Sequence, residues 1–126
     1  MKKIFQTVNA PAPVGPYNQA VAINGILYVS GQIAIDPKTG SFVTEDIQAE
    51  TNQVMKNIKA ILLEAGATFE NVVKASIFLA NMDDFADVNK VYATYFNEMT
   101  APARECVEVS KLPKNVSVEI SVIAHI

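Results

Sequence analysis

Two charged side chains near the C-terminal end of the chain have types and positions suited to chemistry on a bound molecule. Arg104 lies within residues 100–109 and Glu119 within residues 116–120, and both segments have the composition of short strands, joined by a turn around 112–115. A guanidinium matches a carboxylate with two parallel hydrogen bonds and stays charged at any working pH. A carboxyl group can orient a water molecule and carry a proton. On neighbouring strands, this pair would suit substrate binding and proton handling.

Alternation along these strands indicates which way the charged groups face. Successive side chains of a strand point to opposite faces of its sheet. Arg104 and Cys106 then share one face of the first strand, while Val107 and Val109 occupy the other. In the second strand Glu119 lies opposite the apolar residues that surround it. We therefore expect the valine faces to serve the core, and Arg104, Cys106 and Glu119 to lie together on the opposite face.

The composition bounds the class of protein. A chain of 126 residues predicts a single domain, residues 1–126, that can bury a core without disulfides. Half of the residues are hydrophobic and 18% are charged, which is apolar for a small monomer and suggests a face buried against another copy. The net charge is -3, and the lysines and arginines are scattered singly. No basic stripe is present to neutralise phosphates, so we do not expect nucleic acid as a partner.

Cysteine, histidine and hydropathy patterns narrow the class further. The single cysteine, Cys106, has no internal disulfide partner, and the start of the chain does not resemble a signal sequence, so a cytoplasmic location is expected. No apolar run is long enough for a membrane helix. Because His125 is the only histidine and no Cys/His cluster is present, we do not expect a histidine-based metal site, and the sequence offers no recognisable site for an organic cofactor. For the same reason Cys106 is expected to be a small buried residue rather than a nucleophile.

Periodicity and turn residues predict the elements that must position these groups. Further strands are predicted at 3–7, 18–23, 26–35 and 72–80, and helices at 46–65 and 85–99. Asn24-Gly25 is typical of a type I′ hairpin turn, and Gly31 within a strand indicates a bulge or a close approach by another group. Thr44 is the predicted N-cap of the first helix and Gly66 its C′ residue. Asp83 or Asp84 is the predicted cap of the second.

The order of these elements predicts an α+β fold. Each helix links two strands and is long enough for a crossover, so both helices can cover one face of a five- or six-stranded mixed sheet. The other face is left bare and would need partner subunits. The second helix carries an apolar stripe, which comprises Phe85, Val88, Tyr92, Tyr95, Phe96 and Met99.

Several short motifs, taken together in their order and spacing, resemble a known family. They are Gly15-Pro16-Tyr17 with Gln19-Ala20, Val29-Ser30-Gly31-Gln32, Asn89-Lys90-Val91-Tyr92, Pro102-Ala103-Arg104 with Cys106-Val107, and Leu112-Pro113 leading into Val118-Glu119-Ile120. On these motifs the whole chain resembles the Rid family of reactive intermediate (imine) deaminases, also called the YjgF family. The arginine is typical of the active RidA branch. The family often has serine where this chain has Asn18, and Glu105 beside the arginine is unusual; both leave the substrate preference open.

The resemblance implies a homotrimer of chorismate-mutase-like subunits with a cleft between each pair. It implies hydrolysis of 2-imino acids, such as 2-iminobutanoate and 2-iminopropanoate, to 2-oxo acids and ammonia without a cofactor. The roles it implies are carboxylate binding by Arg104, an N–H donated by Gly31, pocket lining by Tyr17, a backbone carbonyl from Cys106, and water positioning by Glu119, with Ser30, Phe85 and Asn89 close by.

Other functions remain open at this point. Arg104 could be no more than the salt-bridge partner of Glu119, and Gly31 no more than a bulge. A protein that binds small 2-oxo acids without turnover would use the same arginine. A holdase-like interaction protein would use the apolar trimer surface, and ribonuclease or translation-inhibitor activity has been ascribed to some relatives, although the acidic composition disfavours RNA binding.

Overall fold

The computed structural model describes residues 1–126, which form six strands and two helices. The strands are β1 (Lys3–Phe5), β2 (Ala20–Ile23), β3 (Ile26–Gln32), β4 (Val72–Leu79), β5 (Ala103–Glu108) and β6 (Val118–His125), and the helices are α1 (Ile47–Glu64) and α2 (Phe85–Ala93). Four single-turn 3₁₀ helices lie in the connections, at Phe69–Asn71, Met82–Asp84, Glu98–Thr100 and Pro113–Asn115. No helix combines the length and the hydropathy that crossing a membrane requires.

All six strands form one mixed sheet in the order β1-β2-β3-β6-β4-β5. Neighbouring strands are antiparallel except β4 and β5, which are parallel and joined by the α2 crossover. The last strand, β6, therefore occupies the centre of the sheet, between β3 and β4. The predicted α+β architecture, with two helices on one face of a mixed sheet, is confirmed.

The strict alternation of β6 divides the sheet into a covered and an uncovered face. Val118, Ile120, Val122 and Ala124 are buried beneath the helices, whereas Glu119 and the other intervening residues are only half-buried. A cluster of 22 buried hydrophobic residues fills the space between the sheet and the helices. The opposite face exposes large apolar side chains, such as Tyr28 at 49% and Val107 at 40%. Glu119 lies on this uncovered face, as predicted.

The predicted pairing and orientation of the Arg104 strand were wrong. β5 pairs with β4 and not with β6, and Arg104 and Cys106 lie in register with Ala75 and Ile77, which face the core. Arg104 and Cys106 therefore belong to the helix-covered face. Because β5 is an edge strand, both of its faces are largely exposed. The position of Val107 consequently does not indicate which face of β5 is directed toward the core.

The helix ends show which local signals were informative. α1 begins after Asp46 rather than Thr44, because the Asp46 carboxylate accepts the N–H of Ala49 at 2.7 Å. Gly66 has φ 76°, as predicted for a C′ residue.

The second helix is shorter than predicted. Asp84 occupies its N-cap position, without a side-chain cap bond. α2 ends at Ala93, because the backbone N–H groups that follow it bond to carbonyls three residues earlier, as in a 3₁₀ helix, and not four residues earlier. The hydroxyl of Thr94 also donates a hydrogen bond to the carbonyl of Val91. The predicted end of its apolar stripe, Met99, is 90% exposed.

Candidate functional site

Arg104 is held on the helix-covered side of the sheet edge by three side chains of α2. Its guanidinium carbon lies 4.9 Å from the ring centre of Tyr92 and 5.5 Å from that of Phe85. One guanidinium nitrogen, Nη1, donates a hydrogen bond of 2.7 Å to Oδ1 of Asn89. Stacking on aromatic rings fixes the plane of the guanidinium while leaving its outer edge free to bind a planar acid.

No carboxylate of the same chain neutralises Arg104. The single salt bridge of the structure joins Lys74 and Glu105, at 2.9 Å, on the uncovered face. The Ser76 hydroxyl also donates to Glu105, and these two partners, the hydroxyl foremost, lower the pKa of this carboxyl. Glu105 therefore faces away from Arg104, as neighbouring residues of a strand do, and does not compete for the hydrogen-bond donors of the guanidinium.

The cavity beside Arg104 has a volume of about 730 Å³ and is mainly formed by α2 and the connection to β5. Its lining residues are Asn89, Tyr92, Ala93, Phe96, Glu98, Ala101, Pro102 and Arg104. We call it the Arg104 cavity. Tyr92 was assigned only to the core by its position in the apolar stripe; it is buried, but it also supports the guanidinium.

Glu119 packs directly against the backbone of Gly31. A β-carbon built on Gly31 would lie 2.4 Å from Oε2 of Glu119 and 2.8 Å from its carboxyl carbon. The register between β3 and β6 also shifts between Val29 and Gln32. Both predicted meanings of this glycine, a bulge and a close approach, are therefore confirmed.

The carboxyl group of Glu119 has no hydrogen-bonding partner within the chain, although the residue is half-buried. Burial raises its pKa above the ordinary glutamate value. A half-buried carboxyl without a protein partner is free to bind a water molecule or a substrate, and a raised pKa makes it a stronger proton acceptor than an ordinary glutamate.

Glu119 lies in a cavity of about 620 Å³ that is formed by three separate parts of the chain. Tyr17 comes from the proline-rich loop, Ser30 and Gly31 from the bulge of β3, and Lys114 from the turn before β6. We call it the Glu119 cavity. Lys114 was missed by sequence reasoning; it has φ 57°, and its position in the turn of Pro113–Asn115 gave no local signal of a functional role.

The proline-rich loop is tied to the sheet by the buried side chain of Gln19. Its amide oxygen accepts the N–H of Thr7 at 2.7 Å, and its amide nitrogen donates to the carbonyls of Thr7, Ala10 and Pro11. The hydroxyl of Ser30 donates to the carbonyl of Asn18 at 2.6 Å. A second cavity of about 600 Å³ also borders this loop and has no charged lining residue.

Cys106 lies on the covered face and packs against the core. Burial raises the pKa of its thiol, against the opposing effect of the nearby Arg104 charge. A thiol of this kind is protonated at neutral pH and is a poor nucleophile. No group of three or more histidine, cysteine, aspartate or glutamate side chains is placed to hold a metal ion.

Within one chain, the predicted site residues therefore lie in two separate groups. Arg104 is surrounded by Phe85, Asn89 and Tyr92 on the covered side of the edge strand, and Tyr17, Ser30 and Gly31 surround Glu119 on the uncovered side. The strand β4 lies between the strands that carry the two charges. Arg104 and Glu119 of the same chain consequently form neither a salt bridge nor a common cavity.

Comparisons with known proteins give a consistent result. Residues 7–126 match the family model described as endoribonuclease L-PSP. A protein of Synechocystis named only as a RutC family protein is 56% identical over 97% of this chain and 95% of its own length. The 2-iminobutanoate/2-iminopropanoate deaminase of Salmonella typhimurium is 47% identical over 98% of both chains. A crystal structure of a conserved Rid family protein from Yersinia pestis superposes with a TM-score of 0.97, at 52% identity over the whole of both chains.

Proposed function

The chain belongs to the Rid family, whose sequence model is described as endoribonuclease L-PSP, and from that premise we propose that it hydrolyses reactive 2-imino acids to 2-oxo acids and ammonia. The name of the Salmonella relative supports the choice of 2-iminobutanoate and 2-iminopropanoate as substrates. Such imines, and their enamine tautomers, are released by pyridoxal-phosphate dehydratases and damage other enzymes. The protein would remove them before they react elsewhere.

The unpaired guanidinium of Arg104 is the observation that carries this proposal. An arginine that is held by two aromatic rings and an amide, yet meets no acid of its own chain, is prepared for a carboxylate from outside. A 2-imino acid presents a carboxylate directly beside its reactive C=N bond. A charge-assisted hydrogen bond of this type contributes about 1.5–3 kcal/mol.

We propose further that the site forms between two copies of the chain, within a homotrimer. A site that uses both Arg104 and Glu119 needs two copies, because these residues lie on opposite sides of the sheet and two strands apart. The uncovered face, with its exposed Tyr28 and Val107, is the surface that other copies would bury. In each cleft one subunit would contribute the Arg104 cavity and the next the Glu119 cavity.

The proposed chemistry requires only positioning and one proton carrier. Arg104 binds the substrate carboxylate, with Tyr17 lining the pocket and the N–H of Gly31 and the carbonyl of Cys106 within the cleft. Glu119 orients a water molecule, whose oxygen attacks the carbon of the protonated imine while the carboxylate takes up its proton. That proton is then transferred to nitrogen, and the Glu119 carboxylate takes up the remaining hydroxyl proton as the C–N bond breaks, which releases ammonia and the 2-oxo acid. No cofactor is needed for these steps.

The direct test produces imines in solution with a threonine or serine dehydratase and lets hydrolysis compete with trapping by semicarbazide. We expect the wild-type protein to suppress the semicarbazone, and we expect Arg104→Ala to abolish this effect. Arg104→Lys should also be strongly impaired because an ammonium offers no planar fork. Lys38→Ala, which removes an exposed cation of the 36–40 turn, is the matched control.

Equal hydrolysis by the wild-type protein and by Arg104→Ala would overturn the proposal. If 2-oxo acids stabilise the wild-type protein without any hydrolysis, the chain is instead a binding protein that senses them. The site between subunits is tested by mixing Arg104→Ala with Glu119→Ala chains, each inactive alone. With one residue from each subunit, random equal mixing restores about a quarter of the clefts, whereas a site within one chain stays inactive.

A further inference from the structure

Helix α1 carries three buried polar side chains, and two of them, Glu50 and Asn57, bond to backbone outside the helix. Glu50 is 3% exposed and Asn57 is 0% exposed. Both occupy positions where the apolar stripe of the helix calls for a hydrophobic residue, since Glu50 lies four residues before Val54 and Asn57 four residues before Ile61. Burial raises the pKa of Glu50 despite its hydrogen bonds, which shows that the buried carboxylate is costly.

Each of these two side chains bonds to the backbone of a strand or of a segment directly beside a strand. Oε2 of Glu50 accepts the N–H groups of Ser117, at 2.7 Å, and of Val118, at 3.2 Å. The amide nitrogen of Asn57 donates to the carbonyls of Ile33, at 3.1 Å, and Ile35, at 3.0 Å. The amide oxygen of Asn57 is itself held by Gln53, at 2.9 Å.

The two attachment points lie in or next to segments that line the Glu119 cavity. Ser117 and Val118 immediately precede Glu119, and Ile33 follows two residues after Gly31. Ile33 and Ile35 line that cavity themselves. Glu50 and Asn57 are seven residues apart, which is close to two full turns, so they project from the same side of one rigid helix.

We propose that Glu50 and Asn57 are positioning residues that fix the distance between the Glu119 carboxyl and the backbone of Gly31. Neither residue touches the substrate. α1 acts as a fixed spacer, with Glu50 holding the β6 side of the cavity and Asn57 the β3 side. This inference rests on the proposed hydrolysis, because it assigns to the spacer the alignment of the water-positioning group.

The test compares Glu50→Ala, Glu50→Gln and Asn57→Ala with a matched control on the same helix. Thr51 is also fully buried and polar, but its hydroxyl bonds only to Ile47 of α1, so Thr51→Val removes a buried polar group without touching the cavity. All variants are assayed for imine hydrolysis well below their unfolding temperatures, after their oligomeric mass has been checked.

We expect Glu50→Ala and Asn57→Ala to lower kcat about 10- to 100-fold, as a displacement approaching 1 Å of a reacting group does. KM should stay within about twofold, because carboxylate binding depends on the separate Arg104 cavity. Glu50→Gln keeps an oxygen acceptor for the two N–H groups and should retain kcat within about threefold. Thr51→Val should lose stability but keep its kcat.

The inference is overturned if Glu50→Ala keeps the wild-type kcat, or if Thr51→Val loses as much kcat as Glu50→Ala. Should Glu50→Ala not fold, Glu50→Asp takes its place, because its carboxylate is one methylene too short to reach both N–H groups. Amide hydrogen exchange separates this inference from the proposed reaction. Faster exchange at Ser117 and Val118 in Glu50→Ala than in Thr51→Val supports the spacer even if no imine is hydrolysed, and equal exchange refutes it.

Discussion

Gly31→Ala is the substitution that most directly tests the position of Glu119. The new methyl group would lie 2.4 Å from Oε2 of Glu119, whereas ordinary van der Waals contact begins at 3.4 Å. The carboxyl group must therefore retreat by about 1 Å, since the backbone of the sheet is less free to move than the end of a side chain.

Gly31→Ala should lower the activity strongly while it changes the stability little. A misplacement of about 1 Å costs about 100-fold in rate, which corresponds to about 2.7 kcal/mol of lost transition-state stabilisation. Gly31 does not have a positive φ, so alanine adopts its backbone conformation without strain. The free energy of unfolding should consequently stay within about 1 kcal/mol of wild type.

The assay is the semicarbazide competition at several imine concentrations, combined with urea unfolding. We expect kcat to fall about 100-fold with KM nearly unchanged, because the N–H of residue 31 and the Arg104 cavity are both retained. In a Glu119→Gln background, Gly31→Ala should add less than about threefold, since the group that it displaces is already inactive.

Gly66→Ala is a control with the opposite expectation, a loss of stability without a loss of activity. This glycine has φ 76° with open space around it, so alanine should cost about 1–2 kcal/mol of stability through backbone strain and leave kcat unchanged. Wild-type kcat in Gly31→Ala would refute the role assigned to the Glu119 carboxyl and its contact with Gly31.

Two further predictions concern stability. Burial raises the pKa of Glu119 in the folded state, so the stability that this group contributes is present below its unfolded pKa and is lost as the pH rises through the folded value. Glu119→Gln should therefore unfold at a higher urea concentration than wild type at about pH 7, at equal protein concentration, and the advantage should shrink toward about pH 4; identical curves at both pH values would contradict this. Gln19→Leu leaves the N–H of Thr7 and three loop carbonyls without their partner, and we expect a loss of about 1–3 kcal/mol with faster amide exchange at Thr7. Unchanged exchange would show that the loop is held by other contacts.

Local chemistry made several features of the fold predictable. Asn24 and Gly25 have φ 51° and 78°, as the type I′ turn requires, and Gly66 ends α1 in the left-handed region. The strand bounds were less accurate, because the first ends at Phe5 and the third at Gln32, both before their predicted ends. A strand ends where its partner ends, and single-sequence patterns do not contain that information.

The pairing of β5 was beyond the reach of local patterns for a related reason. Consecutive strands often pair, and a turn of Pro113–Asn115 precedes β6, so a hairpin was the natural expectation. Instead β6 lies at the centre of the sheet, where it pairs with β3 along one edge and with β4 along the other. The predicted orientation of Arg104 was inferred from the predicted pairing, so it was wrong as well.

The candidate site was predictable only in part. The family motifs identified Arg104, Gly31 and Glu119, and the glycine in a strand signalled the close approach that the structure contains. The signal for Glu50 and Asn57 was also present in the sequence, since polar residues at core positions of an amphipathic helix need buried partners. Those partners are about 67 and 24 residues away along the chain, so only the tertiary structure identifies them.

The central position of β6 has a consequence for how the protein is made. Of the six strands, β6 is translated last, and until then β1–β3 and β4–β5 have no common neighbour. A ribosome-bound chain that lacks β6 exposes two open sheet edges and a half-formed core, because Val118, Ile120, Val122 and Ala124 are still missing. The sheet can therefore close only after β6 has left the exit tunnel, and the sites between subunits can form only after that.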